Sequence, residues 1–283
     1  MKFLTTILST IFFATLVIGQ EQPAEATKYG WKKEMVGGIA LAQTSFDNWA
    51  QGGENSSAWQ ANLNFKFEND QSKSNWANSG KLSYGNSKTG SQEARKSIDE
   101  IRLESVLTYK LGVLINPYLG VTGETQFAPG YRYDTNPKTQ LSAFIDPAYL
   151  RASAGIGFKP NEMIKTRLGA AIKYTITGDF PKPYADDPAT KEIEKTKTEP
   201  GAESVTDLDW KISDTSKLTS KLELFSNLKG FDAVDVNWDN MLATKVTQLI
   251  SVNLNVKLFY DQDISAKRQL KQALTIGLSY NFF

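Results

Sequence analysis

The chain has 283 residues, with 32 basic and 31 acidic side chains, no histidine and no cysteine. Near-neutral charge gives no electrostatic footprint for nucleic acid. The missing cysteines exclude disulfides, thiolate chemistry and a lipid-anchored N-terminal cysteine, and the missing histidine excludes Ser-His and Asp-His catalysis and histidine-held metals.

Residues 1–19 predict a secretory signal peptide. Met1-Lys2 is the positive start, and Phe3 to Ile18 is apolar but broken by Thr5, Thr6, Ser9, Thr10 and Thr15. Gly19-Gln20 offers the cleavage site. A membrane anchor is the alternative, although so short and interrupted a stretch is marginal for crossing a bilayer. Without Lys2 the basic and acidic residues balance. Residues 20–30 read as a short polar leader, and no later run of apolar residues is long enough for a transmembrane helix.

From residue 31 the two-residue period of half-wet strands recurs. Trp59, Ala61, Leu63, Phe65 and Phe67 alternate with Gln60, Asn62, Asn64, Lys66 and Glu68. Leu150, Ala152, Ala154, Ile156 and Phe158 oppose Arg151, Ser153, Gly155, Gly157 and Lys159, and Val252 to Tyr260 repeats the pattern. Twelve strands are predicted, near 31–45, 56–68, 75–85, 98–110, 117–127, 149–159, 163–177, 205–213, 218–228, 236–247, 251–261 and 273–283. The connections between them alternate long and short, with 86–97, 128–148 and 178–204 among the long ones. Long external loops and short periplasmic turns are the habit of outer-membrane barrels. Aromatics gather at strand ends as two girdles would: Phe67, Trp76, Tyr109, Phe158 and Phe282 at one, Tyr84, Phe127, Trp238 and Tyr260 at the other.

The last strand, Ala273 to Phe283, sets Leu274, Ile276, Leu278, Tyr280 and Phe282 against Thr275, Gly277, Ser279 and Asn281. It resembles the closing strand of a bacterial outer-membrane barrel, which implies that Tyr280, Phe282 and Phe283 form the signal for the barrel-assembly machinery. The expected fold is therefore all-β: one transmembrane, antiparallel, up-and-down barrel over 31–283. Twelve strands are expected, with ten or fourteen as the nearest alternatives. Its surroundings would be the lipids of a Gram-negative outer membrane.

Inside such a barrel the polar faces predict a network of Arg102, Glu104, Arg151, Arg167, Asp207, Asp209 and Glu223. Lys66, Lys81, Lys110, Lys165, Lys173, Lys221, Lys245, Lys257, Glu68 and Asp239 join the same lining. Asp207, Asp209 and Asp239 are expected near the external mouth and Lys66, Lys110, Lys159, Lys165, Arg167 and Lys245 near the periplasmic end. That sorting makes the lumen acidic above and basic below, narrowed at Arg102 and Glu104. Buried opposite charges should pair, because an unpaired one suffers the full desolvation penalty. Long side chains of both signs favour a constricted interior over an open channel.

Other acidic groups are weaker candidates. Asp186-Asp187 lie in a Pro-, Lys- and Glu-rich loop, and Asp261-Gln262-Asp263 lacks the glycine and distal glutamate of a calcium-binding loop. No metal, cofactor or catalytic residue is predicted.

Phe46-Asp47-Asn48-Trp49-Ala50-Gln51-Gly52-Gly53-Glu54-Asn55-Ser56 forms a Gly-rich external segment, in which Phe46, Asp47, Asn48, Trp49, Gly52 and Gly53 are the candidate partner contacts. With Val236-Asn237-Trp238-Asp239-Asn240, Tyr260-Asp261-Gln262-Asp263 and the ending Tyr280 to Phe283, it resembles an uncharacterised barrel family of Bacteroidota, domain of unknown function 3078. The resemblance implies an outer-membrane location and brings no substrate, cofactor or catalytic residue. A narrow or gated small-solute pore is the expected function, the alternative being a non-transport envelope component that organises the surface or binds a partner. An enzyme is not expected.

Overall fold

A computed structural model of the protein describes residues 29–48, 50–182, 184–228 and 234–283. Twelve antiparallel strands close on themselves: β1 (Gly30–Thr44), β2 (Ser56–Asp70), β3 (Ser74–Thr89), β4 (Arg95–Tyr109), β5 (Ile115–Thr125), β8 (Ala148–Phe158), β9 (Ile164–Ile176), β10 (Thr196–Lys211), β11 (Ser216–Ser226), β12 (Val234–Lys245), β13 (Ile250–Tyr260) and β14 (Gln269–Asn281). A two-stranded hairpin, β6 (Gly130–Arg132) and β7 (Thr139–Ser142), stands outside the barrel within the connection from β5 to β8. Each strand pairs with its sequence neighbours, and β14 returns to β1. Closure removes the two edges an open sheet would expose.

The side-chain distribution is inverted relative to a soluble sandwich. Leu103, Leu107, Leu119, Val121, Ile156, Leu168, Ile172 and Ile276 are exposed on the outer wall. Glu100, Arg102, Glu104, Lys173, Glu203 and Glu223 are buried within. A contiguous apolar exterior around a charged interior needs lipid outside and marks a transmembrane barrel. Outward hydroxyls in this belt are capped locally: Trp76 Nε1 donates to Ser105 Oγ and Trp238 Nε1 to Ser220 Oγ, both at 2.9 Å. Trp31 and Trp76 meet near the chain-terminus end, and Trp59, Tyr84 and Phe127 form a row near the other. No helix among the described residues could cross a membrane; the strands cross instead.

Both termini of the barrel and the connections 71–73, 110–114, 159–163, 212–215 and 246–249 lie at one end, called here the short-turn end. The connections 45–55, 126–147 and 177–195 lie at the long-loop end. Three details depart from the sequence reading. β10 begins at Thr196 rather than near 205. Pro200-Gly201 reads as loop, yet the pairing of β10 with β11 starts only at Ala202, so Pro200 lies where one flank carries no neighbour. The connection expected over 86–97 shrinks to 90–94, because β3 and β4 continue past a bulge at Gly85/Asn86 and turn at Gly90, φ +57°. The hairpin β6–β7 lies within 128–148, which reads as a long connection in the sequence. The signal peptide and most of the leader fall outside the described residues.

Candidate functional site

The lumen holds one continuous chain of alternating charge. In order it runs Asp239, Lys81, Glu100, Lys257, Glu124, Arg102, Glu223, Arg151, Glu203, Arg167, Glu104, Lys221, Asp207. Six cations thus each bridge two of seven carboxylates. Nitrogen–oxygen separations include 2.6 Å for Lys81–Asp239, 3.1 Å for Lys257–Glu100, 2.5 Å for Arg102–Glu223 and 3.4 Å for Arg151–Glu203. Arg167 donates to Glu104. Charges withdrawn from water are tolerable only when paired so densely.

Neutral groups complete the chain. Tyr118, itself buried, donates its hydroxyl to Glu203 Oε1 at 3.3 Å. It passes over Gly169, where an added Cβ would lie 2.7 Å from the phenol oxygen. Asn237 donates to Glu223 at 2.8 Å and Asn255 to Asp239 at 2.6 Å.

The links do not follow the wall. Lys81 on β3 reaches Asp239 on β12, Glu100 on β4 reaches Lys257 on β13, and Arg102 and Glu104 on β4 reach Glu223 and Lys221 on β11. These bonds strap opposite walls together and divide the lumen. On the β5–β10 side the space is filled: Tyr118, Ala171, Glu203 and Val205 are buried. On the β14–β1–β2 side the inward positions midway along the strands, Thr275, Gly277, Ser279, Val36, Gly38, Ala40, Asn62 and Asn64, are short or amide and partly accessible, with Lys271 and Lys66 toward the two ends. A vestibule of about 720 Å³ opens from the short-turn end, past Lys32, Asp70, Lys110 and Glu162, and ends against the charge chain.

Of the predicted network, Arg102, Glu104, Arg151, Arg167, Asp207 and Glu223 all lie in this chain. Asp209 does not; it pairs with Lys217 at 2.9 Å, half-exposed, near the short turn 212–215. Because β10 starts early and descends, Asp207 and Asp209 sit in the short-turn half, not at the opposite mouth, and Asp239 sits at the level of the chain. The acidic groups at the long-loop end are instead Glu199, Asp235 and Asp261, gathered on Lys173 at 3.7, 2.6 and 2.9 Å. Glu100, Glu124, Glu203 and Tyr118 are members of the site that the predicted network lacks. Glu100 stands in step with Arg102 and Glu104, so its face is legible in the sequence, whereas Glu203 falls within 178–204, which reads as a loop.

Loops shape the far mouth. Asp146 Oδ2 accepts from the backbone N–H of Asp179 and of Phe180, tying loop 126–147 to loop 177–195. Within the latter, Ala185 is buried and Tyr184 lies beside the inward-facing Tyr149, so this loop folds over the β8–β9 side of the opening. Burial, with the Asp146 carboxylate nearby, pushes the Tyr184 phenol above its ordinary pKa. Asp186 accepts from the Glu194 backbone N–H and pairs with Lys182, and Asp187 accepts from the Ala189 N–H; both serve the loop's own fold. Asp261 Oδ1 accepts from the Asp263 N–H while Oδ2 takes Lys173, and no acidic cluster among the described residues has the grouping of a metal site.

In the segment after β1, Phe46 N donates to Asn55 Oδ1 at 2.7 Å, and its ring covers Gly53, φ +143°. Asn48 and Gly52 also take positive φ, and Asp47 is exposed. Trp49 lies outside the described residues. At the other terminus Tyr280 and Phe282 pack edge to face at 5.0 Å, Phe282 N donates to Met35 O, and Phe283 is exposed beyond the end of β14.

Residues 41–131 match a family described as "Protein of unknown function (DUF3078)". The match takes in the Phe46 segment but not the motifs at 236–240, 260–263 or 280–283. No curated protein is detectably similar in sequence. Among solved structures, the translocator domain of autotransporter NalP from Neisseria meningitidis is 10% identical, with a TM-score of 0.39, covering 91% of this chain and 90% of that one. An outer-membrane channel from Pseudomonas putida F1 is 10% identical, with a TM-score of 0.42, covering 93% and 100%. The NanC porin is 9% identical, with a TM-score of 0.38, covering 87% and 98%. The fold assignment rests on the closed strand order itself.

Proposed function

We propose that the protein is a narrow, small-solute pore of a Gram-negative outer membrane. The charge chain that straps β3–β5 to β11–β13 carries this reading: it spans the lumen between those walls, and the short inward side chains midway along β14, β1 and β2 would leave a crescent for passage. Residues 1–19 would direct export, the long loops would face outward, and Tyr280, Phe282 and Phe283 would guide the assembly machinery. The family kinship suggested by residues 41–131 would then extend over the whole barrel. Without histidine or cysteine, and with every central carboxylate held by a cation, no hydrolytic role is proposed.

Planar-bilayer recording of purified protein tests the reading. A small, steady single-channel conductance is expected. A conductance like that of a wide porin overturns the strapped lumen. A silent wild type and silent strap-deficient variants would favour the second reading, a surface component that binds through its loops, for which the ordered Phe46–Gly53 contact speaks.

A further inference from the structure

The barrel does not close evenly. β1 pairs with β2 from Gly30 to Thr44, and β14 pairs with β13 from Gln269 to Leu278. Between themselves β1 and β14 share only Val36–Ile39 against Asn281–Leu278, extended by Phe282 N to Met35 O. Continuing that register would set Ala40–Thr44 against Gly277–Ala273, yet no ladder joins them. In a bilayer such unpaired backbone groups are costly, so closed barrels ordinarily leave none. The break begins at a contact: a Cβ on Gly277 would lie 2.5 Å from Ile39 O and 2.9 Å from Ala40 Cα. The strands touch there, and no backbone pairing joins them beyond it toward the long-loop end.

Two side-chain observations point to what uses the gap. Leu41 and Leu274, each 68% exposed, and Leu270, 64% exposed, are the most accessible apolar side chains of the strands, and they flank it on the lipid side. On the lumen side Lys271 stands directly opposite Lys257 in the β13–β14 register. Lys257 is bound by Glu100 and Glu124, whereas Lys271 makes no close ion pair among the described residues and feels Glu100 and Asp239 only from a distance. A cation in no close ion pair, beside an apolar seam, fits an anion that carries a hydrocarbon chain.

We propose that the upper β1–β14 seam is a lateral doorway for an anionic amphiphile, an aliphatic chain with a carboxylate or phosphate head. The head rests on Lys271 in the lumen and the chain passes between Leu41 and Leu274 into the bilayer. The inference needs the membrane barrel but not conduction past the charge chain, so a silent channel leaves it standing.

Full-length protein in liposomes is irradiated with a diazirine-bearing palmitate or the matching neutral diazirine alcohol, and labelled peptides are located by mass spectrometry. The carboxylate should label 39–44 and 269–276 in preference to β5. Lys271→Gln should lower that labelling about ten-fold, the worth of one charged hydrogen bond, without changing the alcohol's pattern. Lys271→Arg should retain it. Oxidising Ala42→Cys with Thr275→Cys should close the seam and abolish labelling, and reduction should restore it. Unlabelled palmitate or hexadecyl phosphate should compete, whichever wins naming the head group. Barrels are compared only when folded, recognised by heat-dependent gel migration. Uniform labelling around the belt, indifference to Lys271→Gln, or failure of both competitors overturns the doorway.

Discussion

Lys81 on β3 and Asp239 on β12, 158 residues apart, meet across the lumen at 2.6 Å. Their bond separates the crescent along β14, β1 and β2 from the filled half of the barrel, and it forms one end of the charge chain. Each partner keeps some water contact, so removing both should cost little stability. Lys81→Ala with Asp239→Ala is therefore expected to raise single-channel conductance while preserving the heat-dependent gel shift. An unchanged conductance would show that current does not pass this strap.

Glu203 sits deeper, 3% exposed, between Arg151, Arg167 and the Tyr118 hydroxyl. Glu203→Gln leaves two guanidinium groups undercompensated, and a loss of about 3 kcal/mol is expected from urea unfolding in micelles. Tyr118→Phe removes only a neutral donor and should cost about 1 kcal/mol. Equal effects would mean that packing, not charge, holds this region.

Much of this interior was legible in the sequence, and the reason is geometric. Strand alternation fixes a face, so Arg102, Glu104, Arg151, Arg167 and Glu223 could be placed in one lumen from parity alone. Depth is a different matter, because it needs the strand's first residue. Pro200-Gly201 hid the start of β10, which moved Asp207 and Asp209 to the wrong end and left Glu203 in a loop. Which partner each charge takes depends on distances across the lumen, and periodicity within a strand carries no information about those. The hairpin β6–β7 escaped for another reason: Lys138 over Tyr131, Arg95 over Tyr133 and Lys138 on Glu93 are contacts made beyond the barrel wall, on which strand parity is silent.

The Phe46 ring fixes the segment after β1 by lying on Gly53, where a Cβ would come within 2.7 Å. Gly53→Ala should displace the ring and strain a positive-φ backbone, at about 1–3 kcal/mol of local order. Protease cleavage within 45–55 on reconstituted vesicles should accelerate while the barrel itself stays intact.

The proposed orientation sets the long loops outward. A tag inserted after Asp187 should be labelled on intact cells, and a tag between Asp214 and Lys217 only after permeabilisation. Equal labelling at both sites would contradict the drawn topology.

Acid should loosen the connection 261–268. Burial alone would raise the Asp263 carboxyl, but hydrogen bonding and attraction from Lys197 outweigh it and hold the group below the ordinary aspartate range. A depressed folded value contributes stability above the unfolded pKa, about 3.9, and loses it as pH falls through the folded value. Protection of the amides of 264–268, corrected for the intrinsic pH dependence of exchange, should be high at neutral pH and fall only on the acid side of ordinary aspartate titration. Protection lost near neutrality would assign the tether to another group.

Mechanically, the four-pair contact between Val36–Ile39 and Leu278–Asn281 is the weakest joint of a hoop whose other strands are bonded along most of their lengths. A load applied to the last strand would peel it from β1 in a few steps, long before it could be drawn from β13. The order of rupture in a force trace is thereby fixed in advance: a short, low-force event at the seam, then a longer one as β14 leaves the sheet.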